Sequence, residues 1–411
     1  MDADRQSAGR RPRHPDHGKT QRRVARQGLL LGGLGVLLVG SVVAAIAPTF
    51  SVFLVGRALQ GVSYAINPMT IVIARSQLEP RRAQHGISTL SVTVAAGLGI
   101  GYPLTGVIAA FLDFRFAFWF AVVFALSAIL VVAFIVPSGA ELDLERRTFD
   151  YLGAVVLSVA LGALLLGISE APIWPLLATF ATLSLSVIAF VVWVFVELRT
   201  EHPLVDLRLF RLPDVLLANV TAIALGTAMY IALSIVSLVA QAPTSTGYGI
   251  ELPLAVAGLF ILPLSAGSLA ANRLVRIASR RTSMSSLVVV GSGMLAVSTV
   301  FLAVAHSELW EVLVGMLFFG LGVGATFAAM PAVIARRVAS AELGGAVSFN
   351  QVLRTVGGSF GSAITSSVIA ANLAPDRYPS SGGVVLALSA GAAICVAVLV
   401  ALVASAGRSR R

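Results

Sequence analysis

The chain has 411 residues, 57% hydrophobic and only 12% charged, with a formal net charge of +10. No water-soluble fold could hide so many uninterrupted apolar runs. Nucleic-acid binding is excluded as well, because no aromatic–basic module accompanies the positive charge. Basic loops at an anionic leaflet account for that charge, each Lys or Arg contributing about 1 kcal/mol.

A helix needs about 20 apolar residues to cross the hydrocarbon core. Residues 1–27 form a basic tail with no apolar run, so it is not a signal peptide. Four spans are predicted at 28–47, 50–74, 88–112 and 116–137, followed by a linker at 138–150. A pair of spans at 151–170 and 174–196 leads to a second linker at 197–214. Six more follow at 215–240, 253–271, 284–305, 309–333, 347–371 and 383–405, before a short tail at 406–411. Twelve spans make an all-α polytopic membrane protein whose lipid partner is the bilayer.

Of the 29 Lys and Arg, 25 fall in the tails and alternate loops of one side, and the intervening loops hold only Arg115 and Arg377. The positive-inside bias then puts both termini in the cytoplasm, as an even span count requires. Cys395 is the only cysteine, which excludes an internal disulfide and a thiolate metal site. No cofactor or metal is expected.

The second and third spans recur in the tenth and eleventh. Ile73-Ala74-Arg75 reappears as Ile334-Ala335-Arg336, and Val107-Ile108-Ala109-Ala110 as Val368-Ile369-Ala370-Ala371, both at an offset of 261. Val55-Gly56 and Gly61 match Val314-Gly315 and Gly320 at 259, and Arg22-Arg23 matches Arg280-Arg281 at 258. Parallel repeats of this kind build many transporters. The repeat distance is eight spans. Six-span halves therefore leave two helices over, at 151–196. The second half is 215–405. The first half, 28–137, has four spans and is expected to lack its first two.

Leu54-Val55-Gly56-Arg57-Ala58-Leu59-Gln60-Gly61 resembles the fourth-helix motif of the major facilitator superfamily. Gly97-Leu98-Gly99-Ile100-Gly101-Tyr102-Pro103-Leu104-Thr105-Gly106 resembles its antiporter motif, with Tyr102 standing before the proline and Val107 in place of a closing glycine. Pro203 to Phe210 and Asn350 to Gly361 resemble stretches of the superfamily's fourteen-span drug:proton antiporter branch. The resemblance covers roughly residues 22–405. It implies a helical bundle of two pseudo-symmetric halves with an inserted hairpin, shortened at its N-terminus. It also implies export of small molecules coupled to protons, by alternating access at the cell membrane.

Arg57 lies about two turns inside its span, where a charge costs on the order of 3 kcal/mol and faces a polar cavity or partner. The resemblance implies a proton-coupling role for it; the other reading is a side chain snorkelling to the headgroups. Gly97, Gly101, Pro103 and Gly106 are the antiporter-motif-like positions. They serve either as a small-residue packing face or as a bend that lets one half rock on the other. Gln60, Tyr64, Asn67, Tyr102, Tyr230, Asn350 and Arg354 are cavity-lining candidates; in-span polar groups need partners, so the other reading is hydrogen bonding between helices. Arg354 also fits an anchor near the cytoplasmic interface, and Asn219 and Gln351 share the polar pattern. Met69, Met229, Met316, Phe327 and Met330 suit an adaptable apolar pocket or core packing.

The leading reading is a proton-driven exporter of amphipathic compounds. Alternatives are an exporter of an endogenous metabolite and a non-transporting remnant or partner subunit. An enzyme is not expected, since Glu141, Asp143 and Glu145 lack metal-binding spacing.

Overall fold

The computed structural model of the chain describes residues 24–61, 104–108, 111–135, 141, 142, 150–338, 343–374 and 378–408, short of a few positions inside these ranges, with isolated positions elsewhere. The helices are α1 (Arg26–Ile46), α2 (Phe50–Gln60), α3 (Arg115–Ile135), α4 (Tyr151–Glu170), α5 (Leu176–Arg199), α6 (Pro213–Gln241), α7 (Leu262–Ala278), α8 (Met284–Val304), α9 (Leu309–Ala335), α10 (Leu343–Ala371) and α11 (Ser381–Arg408). Eight of these are long and apolar enough to cross a membrane. The predicted span 88–112 falls mostly outside the described residues, as do Tyr64, Asn67, Tyr102 and Pro103.

Helix starts follow local chemistry. Thr49 accepts from the Val52 amide at 3.4 Å, Asp150 from Gly153 at 2.7 Å and Ser283 from Ser286 at 3.1 Å. Glu308 and Glu311 close a reciprocal capping box on α9. The predicted span at 253–271 is not one helix. A turn of α-helix at Leu254–Ala257 and a 3-10 turn at Gly258–Ile261 precede α7. Pro263 in the first turn of α7 has no N–H to donate backward, so the ladder tightens and restarts there. One further element was not predicted: Val24–Ala25 pairs antiparallel with Glu141–Leu142.

The helices from α6 to α11 share one core, in which Ile231, Ile235, Leu302, Met316, Phe319 and Met330 are fully buried. Glycine sets the helix separations. A Cβ on Gly320 would strike the Leu264 backbone, and one on Gly324 the Ser268 backbone, so α7 and α9 touch main chain to main chain. Without water to drive association, such close van der Waals packing is what joins helices in lipid. Arg337 Nε donates to Asp214 Oδ2 at 2.8 Å, tying the end of α9 to the start of α6. At the opposite end, the buried Tyr248 donates its hydroxyl to the Pro379 carbonyl at 2.9 Å.

Helices α4 and α5 pack as a hairpin. Ser186 Oγ donates to the Ala160 carbonyl at 2.8 Å, and a Cβ on Gly167 would press on Leu183. The hairpin leans on α10, where Trp193 stacks on Phe349 with ring centroids 6.1 Å apart. Trp193 Nε1 also donates to Glu197 at 2.9 Å. In the N-terminal region α1 contacts both α2 and α3. The Gly40–Gly56 pair brings α1 against α2, and Arg115 Nη2 donates to the Ala47 carbonyl at 3.3 Å.

Candidate functional site

The site begins with the approach of α10 to α6. A Cβ on Gly226 would land on the Arg354 carbonyl, one on Gly357 on the Ile223 carbonyl, and one on Gly361 on the Thr227 carbonyl. The paired positions advance together, so α6 and α10 run parallel. This closeness lets short side chains bridge the two helices. Asn350 Nδ2 donates to the Ala218 carbonyl at 3.0 Å and to Asn219 Oδ1 at 2.9 Å. Asn350 is 2% exposed and Asn219 3%, so both amides leave water, and Asn350 directs both of its N–H groups to α6.

Arg354 sits one turn further along. Its Nη1 donates to Gln351 Oε1 at 3.0 Å and its Nη2 to Asn350 Oδ1 at 3.5 Å. The guanidinium carbon lies 3.7 Å from the centroid of the Phe327 ring of α9, a close cation–π contact. Its Nε is buried without an acceptor, although the residue as a whole is half-buried. Among the described residues no carboxylate is within ion-pair reach of it. The span was expected to start at 347, which put Arg354 near the cytoplasmic interface. Helix α10 starts at Leu343, and Arg354 therefore lies within one turn of its midpoint, Gly357.

The same helix carries a polar stripe. Gln351, Thr355, Ser359, Ser362 and Ser366 recur at spacings of four, four, three and four, which puts them on one face. Each is half-buried or exposed. In a membrane span such a face belongs against the bundle interior or a water-filled path. Tyr230 of α6 borders this region, because a Cβ on Gly358 would meet its ring at 2.7 Å.

Arg57 occupies a second, separate position. It is exposed, donates through Nη1 to Gln60 Oε1 at 2.7 Å and lies 6.0 Å from the Phe118 ring centroid. Gln60 Nε2 in turn donates to Ser41 Oγ of α1 at 2.9 Å. Ser41 was missed in the sequence because a lone in-span serine satisfies itself, here by donating to the Leu37 carbonyl. No hydrogen bond or ring contact among the described residues joins Arg57 or Gln60 to Arg354.

The remaining candidates disperse. A Cβ on Gly97 or Gly101 meets nothing within 4 Å, and Gly106 is half-buried. Met316 and Met330 are sealed in the core. A small cavity between α6, α8 and α11 is lined by Thr221, Ser292 and Cys395, apart from the Arg354 cluster. The described residues contain no group of His, Cys, Asp or Glu able to hold a metal ion.

The sequence profile of the Major Facilitator Superfamily matches residues 18–362. The chain belongs to that superfamily. This superfamily member is 28% identical over 354 residues to an uncharacterised MFS-type transporter of Mycobacterium tuberculosis, covering 84% of this chain and 50% of the relative. It is 24% identical over 375 residues to a multidrug resistance protein B homolog of the same organism, covering 86% of this chain and 66% of that protein. The chain thus spans about half to two thirds of the length of these curated relatives. A crystal structure of a POT family transporter superimposes with a TM-score of 0.64 at 11% identity, covering 92% of this chain and 82% of the other, a likeness of fold.

Proposed function

We propose that this chain is an export carrier of the fourteen-span drug:proton antiporter branch. It moves amphipathic small molecules out across the plasma membrane as protons move in, with both termini in the cytoplasm. The observation that carries the reading is the Arg354–Asn350–Asn219 cluster near the middle of α10, beside a polar stripe from Gln351 to Ser366 on the same helix. A charged group inside a helical bundle commonly faces the interior or a water-filled path and marks a functional site. Relatives named as multidrug resistance proteins support export of drug-like compounds. The hairpin α4–α5 stands outside the path, and the halves on either side of it rock about the site. Arg57, hydrogen-bonded to Gln60, serves proton coupling from its separate position on α2.

The test is accumulation of a fluorescent amphipath in inside-out vesicles energised by a proton gradient. Uptake that collapses on adding an uncoupler, and that falls in Arg57→Ala at equal expression, is the expected result. Vesicles that hold a gradient yet accumulate none of a chemically diverse probe set refute the transport reading. If Arg57→Ala transports as well as the parent, the coupling role is wrong.

A further inference from the structure

We propose that Arg354 reads a negative charge on the carried molecule, so that the site takes amphipathic organic anions. The inference rests on the transport reading and adds a substrate class to it. Its starting point is an uncompensated charge. The guanidinium lies within one turn of the middle of α10, and its hydrogen-bond partners, Gln351 and Asn350, are both neutral amides. Amide oxygens solvate the cation without neutralising it. A partly buried charge without a counter-ion is costly, and the chain supplies no carboxylate to it among the described residues.

Three further features turn that charge into a recognition site. Nη1 and Nη2 each make one hydrogen bond among the described residues and carry two N–H groups, so the fork has donor capacity to spare. The stacking distance of 3.7 Å to Phe327 holds the group in the bundle, whereas a snorkelling arginine extends along its helix toward the interface. Asn350 is itself locked by two bonds to α6, which fixes the orientation of the guanidinium it supports. Phe327 and Tyr230, both half-buried, provide aromatic surface beside the charge. A carboxylate with an apolar body matches this pairing of donor fork and ring, since guanidinium and carboxylate meet in bidentate geometry.

The experiment measures binding, not transport. The purified full chain in detergent is dialysed against a matched series: 2-naphthoate, 2-naphthamide and 2-naphthylmethylammonium. The carboxylate is expected to bind at least about tenfold tighter than the amide, the scale of one charge-assisted hydrogen bond. Arg354→Gln should erase that preference, and Arg354→Lys should keep only part of it, because the planar fork is lost. Gln351→Glu guards against misfolding as the explanation. It retains the arginine, places a carboxylate on the atom that already accepts from Nη1, and should also cancel the preference. Equal or tighter binding of the ammonium by the parent, no binding of any probe, or a carboxylate preference surviving in Arg354→Gln would overturn the proposal. Loss of vesicle transport with this binding order intact counts against the carrier reading alone.

Discussion

Gly357→Ala adds one methyl group where α10 crosses α6. The new Cβ would fall on the Ile223 carbonyl oxygen, 2.8 Å from its carbon and 2.9 Å from its Cα. All three atoms are main chain, so no side chain can rotate away. Restoring ordinary carbon–carbon contact requires the helices to part by about 1 Å, and a gap of that size forfeits a quarter to a half of each dispersion contact beside it. Overpacking of this kind costs about 1–3 kcal/mol, while alanine's better helix propensity returns about 1 kcal/mol at most. The net expectation is a loss of about 1–2 kcal/mol, with weakening of the nearby Asn350–Asn219 bond. Gly35→Ala on α1 is the control, since a Cβ there meets nothing within 4 Å and only the propensity gain applies. Unfolding in mixed micelles, followed by circular dichroism against SDS fraction, should move in opposite directions for the two variants. Shifts of the same sign and size would refute the argument that main-chain contact sets the α6–α10 separation.

His306, between α8 and α9, has Nδ1 3.0 Å from the Leu302 carbonyl, and burial lowers its pKa from 6.5, against opposing pulls from that bond and Glu311. The folded state then favours the neutral ring, so its contribution is present above about pH 6.5 and lost as pH falls below it. His306→Gln should flatten the decline in unfolding midpoint between pH 7.5 and 5, and parallel declines would count against it. Trp193→Phe keeps an aromatic ring on Phe349 but removes a donor to Glu197, and should cost about 1–3 kcal/mol. Trp193→Ala should cost about 3–5 kcal/mol in the same micelle titration, and equal losses would show that the stack contributes nothing. In a Cys395→Ala background, cysteines at Thr246 and Ser380 should react with an impermeant maleimide from outside cells and one at Ser283 should not; the reverse pattern would invert the topology.

Much of the helix layout can be read from the chain because a membrane span is a one-dimensional signal. The run ending at Glu170 and the one starting at Met284 coincide with α4 and α8 to within a residue. Helix starts were harder to read. Leu343 to Ala346 include two glycines and look like loop, so the start of α10 was set late. Asn219, Asn350 and Gln351 stood out as polar groups inside apolar runs. Phe327 did not stand out as a partner of Arg354, because a ring contact between α9 and α10 leaves no trace in either helix alone. The glycines that set helix contacts followed the same rule. Gly97 and Gly101 drew notice through their spacing, whereas Gly226, Gly320 and Gly357 act through the backbone opposite each of them.

The stacking of Trp193 on Phe349 joins the hairpin to the first turns of α10, and Gly357 and Gly361 join α10 to α6. These three pieces are therefore coupled like cars of one train: a displacement of α10 is handed to α6 through main chain and to α5 through a pair of rings. A spectroscopic probe attached to the exposed lipid-side surface of α4, at Ser158 for instance, would register what happens at Arg354 without touching it. The hairpin is then a convenient external pointer for movements of a site whose own residues are needed unmodified.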